Sequence, residues 1–151
     1  LPSTTAKKNL LNNFEKKGIN SDRIIFAEYL NESEHLNRIK LADVFLDTFP
    51  CNAHTTASEV IRMGVPIITL KGESFTSRVA ASILHQFKLD ELVMKSKEDY
   101  KNKAIELYNY SEELGRIKKK LNDNIENSTL FDSKRFTNNL EKIYLDVINK
   151  N

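Results

Sequence analysis

Residues 46–82 read LDTFPCNAHTTASEVIRMGVPIITLKGESFTSRVAAS, and this stretch decides the fold. Apolar runs and amphipathic runs alternate in it, which predicts a strand, loop, helix, strand, loop and helix in turn. Its first loop places the imidazole of His54 and the hydroxyls of Thr55 and Thr56 at the start of a helix. A helix start presents unpaired backbone N–H groups and a partial positive charge, so it is a natural seat for a phosphate. The cluster therefore indicates a nucleotide diphosphate as the ligand.

The sequence before this stretch has the same alternation. RIIFA, residues 23–27, is a short β-rich run and predicts a strand. Residues 31–42 are predicted to be helical, with Leu36, Ile39 and Leu41 available for burial.

The central stretch supplies two further strands and the helix between them. Residues 44–46 predict the first of these strands, and VPIITL, residues 65–70, predicts a strand buried on both faces. Pro66 is tolerable only at the start of that strand. The helix between them is expected to end at Gly64. Short apolar strands that alternate with helices imply parallel strands joined by right-handed crossovers.

The C-terminal section, about residues 97–149, is predicted to be helical. Apolar residues recur there at helical spacing in three runs. The last run has the clearest stripe, which consists of Phe136, Leu140, Ile143, Tyr144, Val147 and Ile148. Asp132 or Ser133 is the predicted N-cap of that helix.

Composition excludes several classes of protein. The chain has 151 residues and a net charge of +2, with 23 basic and 21 acidic residues well mixed. That balance argues against a dedicated nucleic-acid binder, which concentrates its basic charge. The longest apolar runs are far shorter than a membrane span. We therefore expect no nucleic-acid and no membrane partner.

Cysteine and histidine usage argues against a metal site. Cys51 is the only cysteine, so neither an internal disulfide nor a cysteine-based zinc site can form. The three histidines lack ligand spacing with acidic residues. No secretory signal is visible, and a cytoplasmic setting is expected. Because the chain begins at Leu1, we expect a piece of a larger protein, a single partial domain cut on its N-terminal side.

Four residues of the central stretch are candidates for chemistry, each with an ordinary alternative. His54 either donates a hydrogen bond to a phosphate oxygen or is a loop histidine bonded to backbone. Thr55 and Thr56 either bind the phosphate or cap the helix. Glu59, one turn into the helix, either accepts from a ribose or complements the helix dipole.

Three further residues could complete a nucleotide site. His35 and Arg38 lie three apart, so they can point at one object and suit stacking on a base, although a solvated helix face explains them as well. Cys51 has no basic neighbour in sequence that would activate its thiol, so it is rejected as a nucleophile but could line a pocket.

Several blocks of this sequence resemble one glycosyltransferase family. RIIF, EHLNR, ADVFLDTFPCNAHTTASEVIRMGVPIITLKGESFTSRVAAS and the ending FDSKRFTNNLEKIY are similar to the C-terminal part of the catalytic region of the O-linked N-acetylglucosamine transferases, a family that includes the SPINDLY-like proteins. The similarity runs over about residues 22–144. Members of this family usually carry tetratricopeptide repeats ahead of the catalytic region.

The resemblance implies an α/β fold, a Rossmann-like parallel sheet flanked by helices, as the C-terminal half of a GT-B glycosyltransferase. It implies that residues 1–151 form a donor-nucleotide-binding domain. The parent enzyme would move N-acetylglucosamine from UDP-GlcNAc to Ser or Thr of proteins, without a metal cofactor. The alternatives are a fucosyl or other hexosyl transferase of the SPINDLY-like type, or a nucleotide-sugar binding module without turnover. The NAHTT loop favours UDP-GlcNAc over GDP-fucose.

The resemblance also assigns roles within the donor site. His54, Thr55 and Thr56 would bind the pyrophosphate of UDP. Glu59 stands where the animal enzymes have an aspartate toward the ribose, and Glu32 stands where they have a lysine.

The remaining donor contacts implied by the resemblance concern the base and the sugar. His35 would stack near the uracil with Arg38 beside it, Leu30 would give a backbone contact to the base, and Cys51 would line the sugar pocket. Acceptor-side residues and a key lysine lie upstream of this chain in the family. No catalytic residue is therefore assigned here, the protein acceptor would be bound through the upstream region, and the isolated chain is expected to be inactive and to self-associate.

Overall fold

The computed structural model describes residues 3–149, which divide into two compact units, one running to His35 and the other beginning at Leu36. The first unit contains helix α1, Thr4–Glu15, and a 3-10 turn, Ser21–Arg23. The Ser3 hydroxyl caps α1 by accepting from the N–H of Ala6 at 3.2 Å. The expectation of one partial domain stays a prediction.

The strand predicted at residues 23–27 is wrong. After the 3-10 turn the backbone is extended at Ile24, but residues 24–31 pair with no strand in the described part of the chain. Ile25 is 87% exposed. A β-branched run prefers extended backbone, yet it becomes a strand only when a neighbour supplies the ladder hydrogen bonds.

The second unit alternates strands and helices through its first half and is helical through its second half. The elements in order are α2, Glu32–Ile39; β1, Phe45–Leu46; α3, Thr55–Arg62; β2, Ile67–Leu70; α4, Val79–Gln86; β3, Val93–Met94; α5, Lys97–Asn109; α6, Ser111–Ile125; and α7, Ser133–Ile148. Short 3-10 turns lie at Phe75–Ser77, Asp90–Leu92 and Thr129–Phe131.

The three strands form one parallel sheet in the order β1-β2-β3. Phe45 pairs with Ile67, and Thr69 pairs with Val93. The central strand β2 is buried at three of its four positions, as expected for a parallel strand covered on both faces. This confirms the predicted α/β fold with a parallel sheet flanked by helices.

The core of the second unit lies between the sheet and helices α3 to α6. Its fully buried side chains come from all of these elements, and each contributes about 1.5–3 kcal/mol of burial free energy. The largest of them are Phe87, Ile61, Ile67, Ile68, Leu84, Leu89, Leu92, Leu107, Ile117 and Leu121.

Gly64 ends α3 as predicted. It adopts φ +77°, a left-handed conformation that favours glycine. Its N–H donates to the Ile61 carbonyl at 2.9 Å, and the N–H of Val65 donates to the Val60 carbonyl at 3.1 Å. These two bonds form a Schellman cap, which turns the chain directly into β2.

The C-terminal helices are confirmed, and Asp132 caps α7 by accepting from the N–H of Arg135 at 2.9 Å. The apolar stripe of α7 is not buried, since no residue of that helix is buried within the described chain.

Leu41, predicted to be buried, is 84% exposed. It lies two positions after Ile39, the last residue of α2, in the turn that leads to β1, so it is not on the packed face of the helix.

Candidate functional site

The start of α3 is open. His54 occupies the N-cap position and makes no side-chain capping hydrogen bond. Thr55 and Thr56 are the first two residues of the helix and are exposed, so neither of them is its N-cap. The first-turn N–H groups, which lack carbonyl partners in any α-helix, therefore have no capping side chain here. A helix start without a capping side chain can accept an anion in its place.

His54 is held by the loop that follows β2. Its Nε2 lies 3.4 Å from the carbonyl oxygen of Thr76, and its ring meets Phe75 edge to face with centroids 6.1 Å apart. The same Thr76 carbonyl accepts from the backbone N–H of Asn52 at 2.9 Å. The loops after β1 and β2 are thus joined beside the start of α3.

Asp47 organises the loop between β1 and α3. It is 2% exposed. Its Oδ1 accepts from the backbone N–H groups of Thr48 at 2.9 Å and Ala53 at 2.7 Å, and its Oδ2 accepts from the Thr69 hydroxyl at 2.6 Å. The role of this carboxylate is not among the predictions made from the sequence. An acidic residue directly after a predicted strand is the sequence feature that could have indicated it.

Tyr100 of α5 supports the same loop from the other side. Its hydroxyl donates to the backbone carbonyl of Asp47 at 2.9 Å, and its ring packs edge to face on Phe49 with centroids 5.7 Å apart. Burial raises the pKa of Tyr100, and the negative charge of Asp47 raises it further. The phenol therefore keeps its proton at neutral pH and remains a donor.

The loop after β2 requires a glycine. The N–H of Gly72 donates to the Ser77 carbonyl at 3.0 Å, and a Cβ at Gly72 would lie 2.6 Å from the Ser77 Oγ. The Ser77 hydroxyl in turn donates to the Ser74 carbonyl at 2.9 Å. This close approach folds the loop tightly and fixes the Thr76 carbonyl that faces His54.

A cleft of about 490 Å³ opens where β2 and β3 end. Its lining includes Phe49, Gly72, Ser74, Lys95 and Lys97. The carboxyl ends of parallel strands are where open α/β sheets bind ligands. The cleft and the start of α3 share the two loops that follow β1 and β2.

The structure brings five of the predicted site residues into one loop–helix segment. These are Cys51, His54, Thr55, Thr56 and Glu59. Cys51 is exposed, with its Sγ 3.7 Å from the Asn52 carbonyl oxygen, and Glu59 is half-buried one turn into α3.

The other three predicted residues are divided between the two units. Leu30 and His35 belong to the first unit, and Arg38 belongs to the second. All three are half-buried. Their roles toward a base stay predictions.

Within residues 3–149, no three His, Cys, Asp or Glu side chains are grouped as metal ligands. The helices of the described chain are also too short or too polar to cross a membrane.

A family model and several known proteins match this chain, and all of them are described as glycosyltransferases. The family model described as glycosyl transferase family 41 matches residues 2–140. The probable UDP-N-acetylglucosamine–peptide N-acetylglucosaminyltransferase SEC of Arabidopsis thaliana is 39% identical over 134 residues, which are 88% of this chain and 14% of that protein. The UDP-N-acetylglucosamine–peptide N-acetylglucosaminyltransferase of Caenorhabditis elegans is 36% identical over 128 residues, 85% of this chain and 11% of that protein.

A solved structure extends the similarity to the fold. A mutant of the O-GlcNAc transferase of Thermobaculum terrenum matches with a TM-score of 0.85 at 29% identity, over 94% of this chain and 27% of that one. The chain therefore spans a small part of the length of each of these relatives.

Proposed function

Because the chain belongs to glycosyl transferase family 41, we propose that it binds UDP-N-acetylglucosamine, the donor of a protein O-GlcNAc transferase, with the diphosphate on the start of α3. The observation that carries the proposal is the uncapped first turn of α3, with His54, Thr55 and Thr56 grouped at its mouth. The open N–H groups and the positive end of the helix dipole suit two linked phosphates.

The proposal gives this chain a defined share of the reaction. When the sugar leaves, negative charge develops on the diphosphate, and donors already aimed at it stabilise the transition state. The backbone N–H groups of α3, the hydroxyls of Thr55 and Thr56 and the imidazole of His54 provide such donors. We propose that they replace a metal ion, so that binding needs no divalent cation. Glu59 would contact the ribose, and Cys51 would line the sugar pocket.

The remainder of the site belongs to the whole enzyme. The plant and nematode relatives are named as enzymes that use UDP-N-acetylglucosamine and a peptide acceptor. Their lengths far exceed the part that this chain matches. We therefore propose that the acceptor serine or threonine is bound by the remainder of a parent enzyme, that this enzyme works in the cytoplasm, and that the 151-residue chain alone transfers no sugar.

Calorimetric titration with UDP, GDP and uridine tests the proposal. We expect UDP to bind more tightly than uridine, because only UDP reaches the start of α3, and more tightly than GDP. A titration repeated with excess EDTA should give the same affinity. Equal affinities for UDP and GDP would remove the case for a uridine donor, and a requirement for a divalent cation would contradict the proposed role of the protein donors.

A further inference from the structure

The carboxylate of Asp47 is buried at the end of β1 and accepts three hydrogen bonds, all from neutral donors within the described chain. A buried charge is tolerated only when hydrogen bonds replace its hydration. The geometry of those bonds is therefore demanding, since losing a donor would leave a charged oxygen unsatisfied.

Two of these bonds span the loop that leads to the proposed diphosphate site. The donors are the N–H groups of Thr48, the first residue after Asp47, and Ala53, the residue before the N-cap His54. The His54 carbonyl then accepts the first bond of the helix, from Ser58 at 3.2 Å. One carboxylate oxygen thus ties the end of β1 to the start of α3.

Bonds from two other elements orient Asp47 itself. The Thr69 hydroxyl, from β2, donates to the second carboxylate oxygen, and the Tyr100 hydroxyl, from α5, donates to the backbone carbonyl. The sheet and α5 therefore fix the position of Asp47, and the hydrogen bonds from Thr48 and Ala53 to its carboxylate in turn fix the loop.

We propose that Asp47 is the positioning residue of the donor site, and that its carboxylate holds the loop of residues 48–53 so that His54 and the first turn of α3 face the diphosphate. This inference rests on the proposed function. Asp47 does not touch the donor. It acts through the Ala53 N–H, and small displacements of groups that bind a reacting centre reduce their effect strongly.

Three variants separate positioning from support of the fold. Asp47→Ala removes all the carboxylate bonds, Asp47→Asn keeps an acceptor oxygen for the two N–H groups, and Thr69→Val removes only the bond from β2. UDP and uridine affinities are measured for each variant at a temperature where circular dichroism shows it folded. The ratio of UDP to uridine affinity is the readout that a merely structural role would not change.

We expect Asp47→Ala to weaken UDP binding about tenfold, in line with the loss of a hydrogen bond to a charged group, and to leave uridine binding unchanged. Asp47→Asn should recover most of the UDP affinity, and Thr69→Val, which removes one of the bonds that orient the carboxylate, should weaken UDP binding less than Asp47→Ala does. An unchanged ratio of UDP to uridine affinity in folded Asp47→Ala would overturn the proposal.

Amide hydrogen exchange on the ligand-free, unaltered chain gives a test that depends neither on the variants folding nor on UDP binding. The Ala53 N–H should exchange more slowly than that of Cys51, for which the structure shows no such carboxylate acceptor. If Ala53 exchanges at the rate of an unstructured amide, Asp47 does not hold the loop and the proposal fails. Absence of UDP binding by the unaltered chain would instead overturn the proposed function.

Discussion

At the scale of single residues, the proposed site and the core are separated within one turn of helix. Thr55 and Thr56 are exposed and His54 is half-buried, whereas Ala57 is fully buried under the same turn. Polar side chains that face solvent contribute little to folding, and buried apolar ones contribute much. Substitutions at the mouth of α3 should therefore change ligand binding without unfolding the chain.

His54→Ala tests this separation. Removing a hydrogen bond to a charged phosphate costs about 1.5–3 kcal/mol, so UDP affinity should fall about tenfold or more. His85→Ala is the matched control, because His85 lies in the last turn of α4 and not at the start of α3. Its Nδ1 is 2.8 Å from the Asp90 Oδ1. The control should bind UDP as the unaltered chain does. Equal losses in the two variants, measured by calorimetry, would show that His54 has no specific role.

Site residues that are adjacent in the chain can be recognised from the sequence, whereas site residues that folding brings together cannot. His54, Thr55 and Thr56 are adjacent in the chain, so their grouping at a helix start could be predicted from the sequence. The partners of Asp47 could not, since Thr69 is 22 positions away and Tyr100 is 53 positions away. Those contacts exist only after β1, β2 and α5 have packed together.

At the scale of elements, the same distinction separates correct from wrong predictions. Helix α3, its end at Gly64 and strand β2 each carry their own determinants in a few adjacent residues, and each is confirmed. The predicted strand at residues 23–27 is wrong because local preference for extended backbone supplies no pairing partner. Strand β3, Val93–Met94, is not predicted from the sequence, and its strand state comes from pairing with β2.

Two glycine substitutions, one at the end of α3 and one within α6, should change the free energy of unfolding in opposite directions. Gly64→Ala places a side chain at φ +77° with its Cβ 2.7 Å from the Asn122 Oδ1, so the free energy of unfolding should fall. A left-handed residue costs about 1–2 kcal/mol when it is not glycine. Gly115→Ala lies within α6 with nothing inside 4 Å of its Cβ, and should stabilise the chain by about 0.5–1 kcal/mol. Urea denaturation measures both, and an unchanged or raised free energy of unfolding in Gly64→Ala would contradict the assignment of Gly64 as a required helix end.

At the scale of the whole chain, the outstanding feature is the exposed apolar stripe of α7. Several of its large apolar side chains are more than half exposed, including Phe136 at 67%, Ile143 at 56%, Tyr144 at 59% and Ile148 at 68%. Contiguous exposed apolar surface of this kind drives association. A net charge of only +2 offers little electrostatic repulsion against it.

We therefore expect the 151-residue chain to self-associate as its concentration rises, with the α7 stripe as the contact. Ile143→Lys with Ile148→Lys places two charges in the stripe and should shift the chain toward monomer in sedimentation velocity. Asn138→Lys with Asn149→Lys adds the same two charges on the polar side of the helix, because residues along an α-helix are separated by about 100°. This control should self-associate nearly as the unaltered chain does, since net charge alone is changed. Equal dissociation by both pairs would show that the added net charge, and not the loss of apolar surface, weakens the association. An unaltered chain that is monomeric at every concentration would show that the α7 stripe does not drive self-association.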